Sequence, residues 1–270
     1  MKLSDAVKAL TEAKIDNAKG EARMLFSHFG NFSSADLLFG DPELSDARLT
    51  EAVKKRTERF PLQYIIGKVD FFRESYKVTE GCLIPRSDTE ILVDEAVKRL
   101  PEGENLIDLC TGSGCVALST LNNTSGTTAI GADISENALS VAKENAAALG
   151  LSDRICFVLA DVLNEPLCEK VYAVLSNPPY VSRSAYAELE PEIYHEPSIA
   201  FIGGEDGLDF YRRLIPLYKD RLKKGGFFAF EIGFDQGEAL VALAEENCLD
   251  CEIIKDYNAL PRVAILTQKD

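Results

Sequence analysis

The hydrophobic rhythm of the chain changes twice. Over residues 1–60 apolar side chains recur at helical spacing: Leu49, Val53 and Phe60 mark one stripe, with Lys54, Lys55, Arg56 and Arg59 around it. Ser4, Ser34 and Ser45 stand where N-caps are expected, so helices are predicted to begin at Asp5, Ala35 and Asp46. The first segment therefore reads as a small helical bundle. Its basic cluster reads either as a solvated face or as a contact surface for an acidic or RNA-bearing partner.

Pro61 stops the last of these helices. Phe71-Phe72 and Tyr76-Lys77-Val78-Thr79, with Arg73-Glu74-Ser75 between them, predict a short hairpin. Helix resumes after Pro85, with Asp88-Thr89-Glu90 near its start and Ile91, Leu92, Val93, Ala96 and Val97 on its apolar side. From there strand and helix alternate. Short apolar runs fall at 105–109, 127–132, 154–160, 171–176, 226–232, 251–254 and 262–267, and helical segments at 114–121, 135–149, 208–222 and 236–247. Such alternation predicts an α/β fold, a mostly parallel sheet of seven strands with helices on both faces. Three parts follow: a helical bundle over 1–70, a hairpin linker over 71–84 and an α/β domain over 85–270.

Composition adds little to this. Hydrophobic residues make up 46% and charged residues 27%, which is ordinary for a globular protein able to bury a core without staples. The seven cysteines are odd in number and irregularly spaced, and most lie in apolar runs, so reduced thiols and a cytoplasmic setting are expected. Cys248-x-x-Cys251 is half a zinc pattern with no second pair, and the histidines are only His28 and His195, so no metal is expected. Neither a secretory segment nor an apolar run of membrane-spanning length is visible.

Charge changes the picture more. Residues 1–75 carry 12 basic and 12 acidic side chains, whereas the remainder carries 17 against 32 and so holds the whole net charge of −15. An acidic domain repels phosphate backbones, which argues against free nucleic acid as its partner.

Two motifs carry the chemistry. The first predicted strand ends in Asp108-Leu109-Cys110-Thr111-Gly112-Ser113-Gly114 and runs into a helix. Glycines at such a turn let the backbone pass close to a ligand. Asp133 ends the next strand, 19 residues after Gly114, where a carboxylate can accept both ribose hydroxyls of a nucleoside. Asp161 ends the third strand, placed to accept from an adenine amino group. These features alone also fit a dinucleotide fold, since Gly112-x-Gly114-x-x-Ala117 matches the relaxed dinucleotide fingerprint.

The fourth strand decides. It runs into Asn177-Pro178-Pro179-Tyr180. Two prolines fix the backbone and remove two N–H donors, so the turn presents acceptors: the Asn177 side-chain carbonyl and the Pro178 backbone carbonyl. The Tyr180 ring follows at once. Two convergent acceptors and an aromatic plane suit a planar NH₂ group. An amide nitrogen is a poor nucleophile, and accepting from both its hydrogens returns electron density to it and aims it at a methyl carbon. No histidine is needed, because the nitrogen becomes strongly acidic once methylated.

Asn-Pro-Pro-Tyr after a fourth strand resembles the amino-group methyltransferases of the Rossmann-like class I fold. Further segments are similar to the release factor glutamine methyltransferases (the PrmC/HemK family). They are Pro61-Leu62-Gln63-Tyr64-Ile65-Ile66-Gly67, Leu83-Ile84-Pro85-Arg86-Ser87-Asp88-Thr89-Glu90, Glu196-Pro197, Gly204-Glu205-Asp206-Gly207-Leu208 and Glu231-Ile232-Gly233. The resemblance spans about residues 60–267 and implies S-adenosylmethionine as cofactor. It further implies methylation of the glutamine in the Gly-Gly-Gln loop of class I peptide chain release factors. By this resemblance Thr111, Gly112, Ser113 and Gly114 line the cofactor, Asp133 holds its ribose, and Asp161 and Val162 flank its adenine. Asn177, Pro178, Pro179 and Tyr180 hold the glutamine amide, with Arg86 and Thr89 near the pocket mouth and the helical N-terminal part recognising the substrate. Two positions depart from the family: Cys110 stands where glycine is usual, and residues 256–262 replace a glycine-rich turn. The alternatives are an adenine-N6 methyltransferase acting on DNA or RNA, since an exocyclic NH₂ is also planar, and a catalytically idle binding module.

Overall fold

In the computed structural model, which describes residues 1–269, the chain divides into two compact units. The smaller comprises Met1–Lys68 with Glu190–His195, the larger Val69–Leu189 and the chain from Glu196 onward. The last residue of the α/β domain predicted over 85–270 lies outside the described residues.

The smaller unit holds helices α1 (Leu3–Glu12), α2 (Ala18–Phe29), α3 (Ser34–Phe39), α4 (Ala47–Thr57) and α5 (Leu62–Ile66). Leu10, Leu25, Phe26 and Leu49 meet in its core. The three predicted caps are corrected. Ser33 rather than Ser34 caps α3, because only Ser33 has a carboxylate three residues on: its hydroxyl accepts from the Asp36 N–H and Asp36 accepts back from the Ser33 N–H. Asp46, the stronger acceptor, displaces Ser45 at α4. Ser4 lies inside α1, where its N–H and hydroxyl both donate to Asp41. The basic cluster is also not what the pattern implied. Arg56 is 6% exposed and donates to Glu21 at 2.5 Å and to Glu192 at 2.9 Å, while Arg59 pairs with Glu192 at 2.8 Å. Its two arginines are internal ties and not a docking face.

A hairpin follows, β1 (Lys68–Phe71) and β2 (Glu74–Lys77), with Phe72 left-handed at φ 58° in the turn. It lies earlier than predicted because Glu74, read as turn, is a buried strand residue whose carboxylate accepts from Ser119 and Asn122. After α6 (Glu90–Arg99) come β3 (Asn105–Leu109), α7 (Cys115–Asn122), β4 (Thr128–Asp133), α8 (Glu136–Ala148), β5 (Ile155–Leu159) and β6 (Val171–Ser176). A long excursion holding the short α9 (Arg183–Tyr186) leads to α10 (Asp209–Tyr218), β7 (Leu222–Glu231), α11 (Gly237–Glu246), β8 (Leu249–Lys255) and β9 (Pro261–Gln268).

The seven strands form one sheet in the order β5-β4-β3-β6-β7-β9-β8, parallel except for β9, which runs antiparallel to both neighbours. Both faces are covered. Leu106, Ala173, Phe227 and Ala229 join one core, and Ile107, Val174, Phe228 and Phe230 the other. Burial on both faces explains why these strands read as unbroken apolar runs. The fold expected from the sequence is the one found.

Candidate active site

The strand order reverses between β3 and β6: the chain builds outward through β4 and β5, then returns to add β6 on the opposite side. At such a switch point the loops leave in opposite directions and open a crevice at the carboxyl ends of the strands. The register sets Leu109 level with Ala132 of β4 and Ser176 of β6, so the three strands end together. A cavity of about 280 Å³ lies there.

The residues singled out in the sequence converge on it. Thr111, Gly112 and Ser113 line it from the turn after β3, Asp133 from the end of β4, Asp161 and Val162 from beyond β5, and Asn177 and Pro179 from beyond β6. Thr89 lines it from the 3₁₀ turn ahead of α6. Gly114, Pro178, Tyr180 and Arg86 stand outside the lining. Gly114 caps α7 at φ 82°, where a Cβ would come within 3.2 Å of Ala142 on α8, so this glycine serves helix packing. Arg86 instead ion-pairs with the buried Glu196, which also accepts from the Ile84 N–H.

At Gly112, φ is 57° and an added Cβ would meet nothing within 4 Å, so the backbone is left-handed and faces open space. Its N–H donates to Asp133 Oδ2 at 2.8 Å, and the Ser135 N–H donates to Oδ1 at 2.8 Å. Each Asp133 oxygen is thus oriented by one backbone bond and keeps further acceptor capacity. Burial raises the Asp133 carboxyl, against those backbone bonds. Asp161 accepts from the Leu163 N–H at 3.0 Å through one oxygen. The Ser113 hydroxyl is buried with no aligned hydrogen bond among the described residues. This donor set, with an open glycine and spare acceptors at the ends of two adjacent strands, fits a nucleoside-bearing cofactor.

Sequence reasoning missed Asp108 as a site residue. It is 1% exposed, and its Oδ2 accepts from the Thr111 hydroxyl at 2.6 Å and the Ala117 N–H at 3.2 Å, tying the glycine turn to both its ends. Burial pushes its carboxyl up to about 7, opposed by those two hydrogen bonds. The signal was an acid ending an otherwise apolar strand.

On the other wall, the Asn177 side-chain NH₂ donates to the Thr89 hydroxyl oxygen at 3.1 Å. Neither its carbonyl oxygen nor the Pro178 carbonyl accepts a hydrogen bond among the described residues. The turn is held from behind. Gly203 and Gly207 approach the carbonyls of Pro179 and Tyr180 so closely that a Cβ on either would collide, at 2.3 and 2.1 Å. Gln236 donates to both the Tyr180 and Gly207 carbonyls, and the Tyr180 hydroxyl donates to the buried Glu231 at 3.1 Å.

A reversed parallel sheet, a glycine turn and an acceptor turn around one cavity together define a methyltransferase of the Rossmann-like class I fold. Ribosomal protein L11 methylase from Lactobacillus delbrueckii subsp. bulgaricus shares that fold, with TM-score 0.53 and 18% identity over 71% of this chain and 84% of that one. Residues 2–67 match the model described as PrmC N-terminal domain, and residues 87–196 that described as methyltransferase small domain. A release factor glutamine methyltransferase of Thermodesulfovibrio yellowstonii is 35% identical over 98% of both chains, and one of Moorella thermoacetica 38% over 90% of this chain and 88% of its own. The chain belongs to the release factor glutamine methyltransferase family.

Proposed function

We propose that the protein transfers the methyl group of S-adenosylmethionine to the side-chain amide nitrogen of the glutamine in the Gly-Gly-Gln motif of a class I peptide chain release factor. The observation that carries this reading is the pair of unused acceptors, Asn177 Oδ1 and the Pro178 carbonyl, in a turn that also walls the nucleoside cavity. Bound S-adenosylmethionine supplies a methyl carbon already activated by its sulfonium. Asp133 takes the ribose hydroxyls on the oxygen capacity that Gly112 and Ser135 leave, Asp161 and Val162 border the adenine, and residues 111–114 form the turn around the methionine end. Asn177 and Pro178 grip the two amide hydrogens, which aligns the nitrogen lone pair and strengthens it as a nucleophile. Pro179 and Tyr180 keep the turn rigid. In this reading the helical unit, which matches the PrmC N-terminal domain over residues 2–67, is the part that recognises the release factor.

A cytoplasmic setting fits: no disulfide links the seven cysteines, and among the described residues no helix is long and apolar enough to cross a membrane.

The test is incubation with labelled S-adenosylmethionine and purified release factor. The expected result is a gain of one methyl on the Gly-Gly-Gln peptide. Asn177→Ala is expected to lower kcat at least about a hundredfold while cofactor affinity changes less than about threefold. An unmodified peptide with the intact enzyme would remove the substrate assignment, and full turnover by the variant would remove Asn177 from the reaction.

A further inference from the structure

We propose that Glu196 and Arg86 are positioning residues that fasten a strap of chain, residues 81–89, across the nucleoside cavity and so set how fast the bound cofactor leaves. The inference rests on the reading that the cavity takes S-adenosylmethionine.

The strap spans the cavity from wall to wall. At its start Gly81 lies so close to α8 that a Cβ there would come within 2.8 Å of the Asn137 side chain, on the wall that carries Asp133. At its end the Thr89 hydroxyl accepts from Asn177, and Asp88 pairs with Arg262 at 3.2 Å. Between those ends Leu83 and Pro85 line the cavity. The stretch has no regular structure before the 3₁₀ turn at Ser87–Thr89. Among the described residues the backbone hydrogen bonds of residues 81–86 are local turns, from the Cys82 N–H to Thr79 and from the Thr89 N–H to Arg86. A segment with so few backbone ties opens at small cost unless side chains hold it.

Glu196 supplies that hold. Its Oε2 accepts from the Ile84 N–H at 2.9 Å and its Oε1 from the Arg86 guanidinium, which also donates to the Ile84 carbonyl at 2.6 Å. Both polar groups of the Ile84 backbone are thereby taken up, between the two residues that line the cavity. Pro197, next to Glu196, lines the same cavity, as does Ile199. One carboxylate thus joins two stretches of wall that no backbone hydrogen bond connects among the described residues.

An ion pair suits a strap that must open at every exchange of cofactor. The Glu196 side chain is 2% exposed and that of Arg86 36%. Burying such a pair costs nearly as much hydration as its attraction returns, so the strap is held without being locked, and opening rehydrates both charges. Removing one partner strands the other, and the strap then stays closed for less of the time. Solvent reaches Arg86, so dissolved ions weaken the pair. The resemblance placed Arg86 at the pocket mouth for substrate, and the ion pair gives it this other task.

The experiment measures dissociation of S-adenosylhomocysteine by surface plasmon resonance on immobilised wild type, Arg86→Met, Arg86→Lys and Glu196→Gln. Arg86→Met keeps the stem and removes the charge, and its dissociation is expected to be about tenfold faster or more. Glu196→Gln sets an NH₂ against one of the two donors and is expected to act in the same direction. Arg86→Lys returns the charge and is expected to stay within about threefold of wild type. Raising salt from about 50 to about 500 mM is expected to speed wild-type dissociation about twofold and to leave that of Arg86→Met nearly unchanged. Dissociation from Arg86→Met within about threefold of wild type would overturn the proposal, as would failure of lysine to restore retention or an equal salt response in both proteins.

A second readout needs no ligand. Hydrogen exchange at the Ile84 amide is expected to quicken about tenfold in Arg86→Met, while the amides of Asn105–Leu109 in β3 keep their wild-type rates. Equal quickening in β3 would mean general loosening and would overturn the proposal. Wild type that binds no S-adenosylhomocysteine would remove the cofactor reading and the proposal with it, whereas firm binding with unaltered dissociation in the variants would overturn the proposal alone.

Discussion

Among single residues, Asp108 shows how burial and hydrogen bonding contend over one carboxyl. Its value near 7 in the fold lies above the 3.8 of an unperturbed aspartate, so the folded chain holds this proton more tightly than the unfolded one. The stability it contributes is complete below about pH 4 and is lost as pH rises through about 7. Asp108→Asn cannot ionise and keeps an acceptor for Thr111 and Ala117. The variant is expected to flatten the decline in stability between pH 4 and 7 by a few kcal/mol, measured by urea unfolding of the ligand-free protein at several pH values. A decline as steep as wild type would show that the residue titrates normally. Much at this scale was legible beforehand, because Gly112, Asp133 and Asn177 announce themselves by residue type and by position at strand ends. Asp108 was not, since an acid ending a strand reads equally well as solvated. The strain at Cys110 was only half visible: the resemblance led one to expect glycine there, and the backbone does take a left-handed φ of 60°. Polarity patterns register side chains and say nothing of that angle.

Among elements, strands and helices of the sheet were readable because burial on both faces gives each strand an uninterrupted apolar run. The helix caps were less so. Adjacent candidates such as Ser33 and Ser34 differ only in what lies three residues further on, and Ser4 was claimed by the distant Asp41. Least visible was the tie between α4 and the segment Glu190–His195, because the partners are 136 residues apart in sequence. Arg56 with Glu21 and Glu192 forms an enclosed group in which the arginine side chain is 7% exposed. Removing the cation takes from the enclosed Glu21 its ion-pair partner and leaves Glu192 with Arg59 alone. Arg56→Ala is expected to destabilise the helical unit by about 3 kcal/mol. Hydrogen exchange in residues 190–195 is expected to quicken at the same time. Unchanged exchange there would mean that the segment is held by other contacts, such as the Phe60 and His195 rings 5.1 Å apart.

For the molecule as a whole, the net charge of −15 resides entirely beyond residue 75, in the part that carries the cavity. Such a surface disfavours polyphosphate substrates most strongly where screening is weakest. Single-stranded and duplex adenine-containing oligonucleotides are therefore expected to receive no label at about 50 mM salt or at higher concentration. Methylation of an oligonucleotide that faded with added salt would revive the adenine-N6 alternative. The division of the chain carries a separate consequence for anyone wishing to work with its parts. The polypeptide passes from one unit to the other after Lys68, returns after Leu189 and leaves again after His195, so no single cut yields two self-contained pieces. A gene trimmed to start at Val69 would still encode six amino acids that belong to the discarded half, stripped of Arg56 and Arg59. A usable truncation has to bridge that hexapeptide as well as drop the front of the chain.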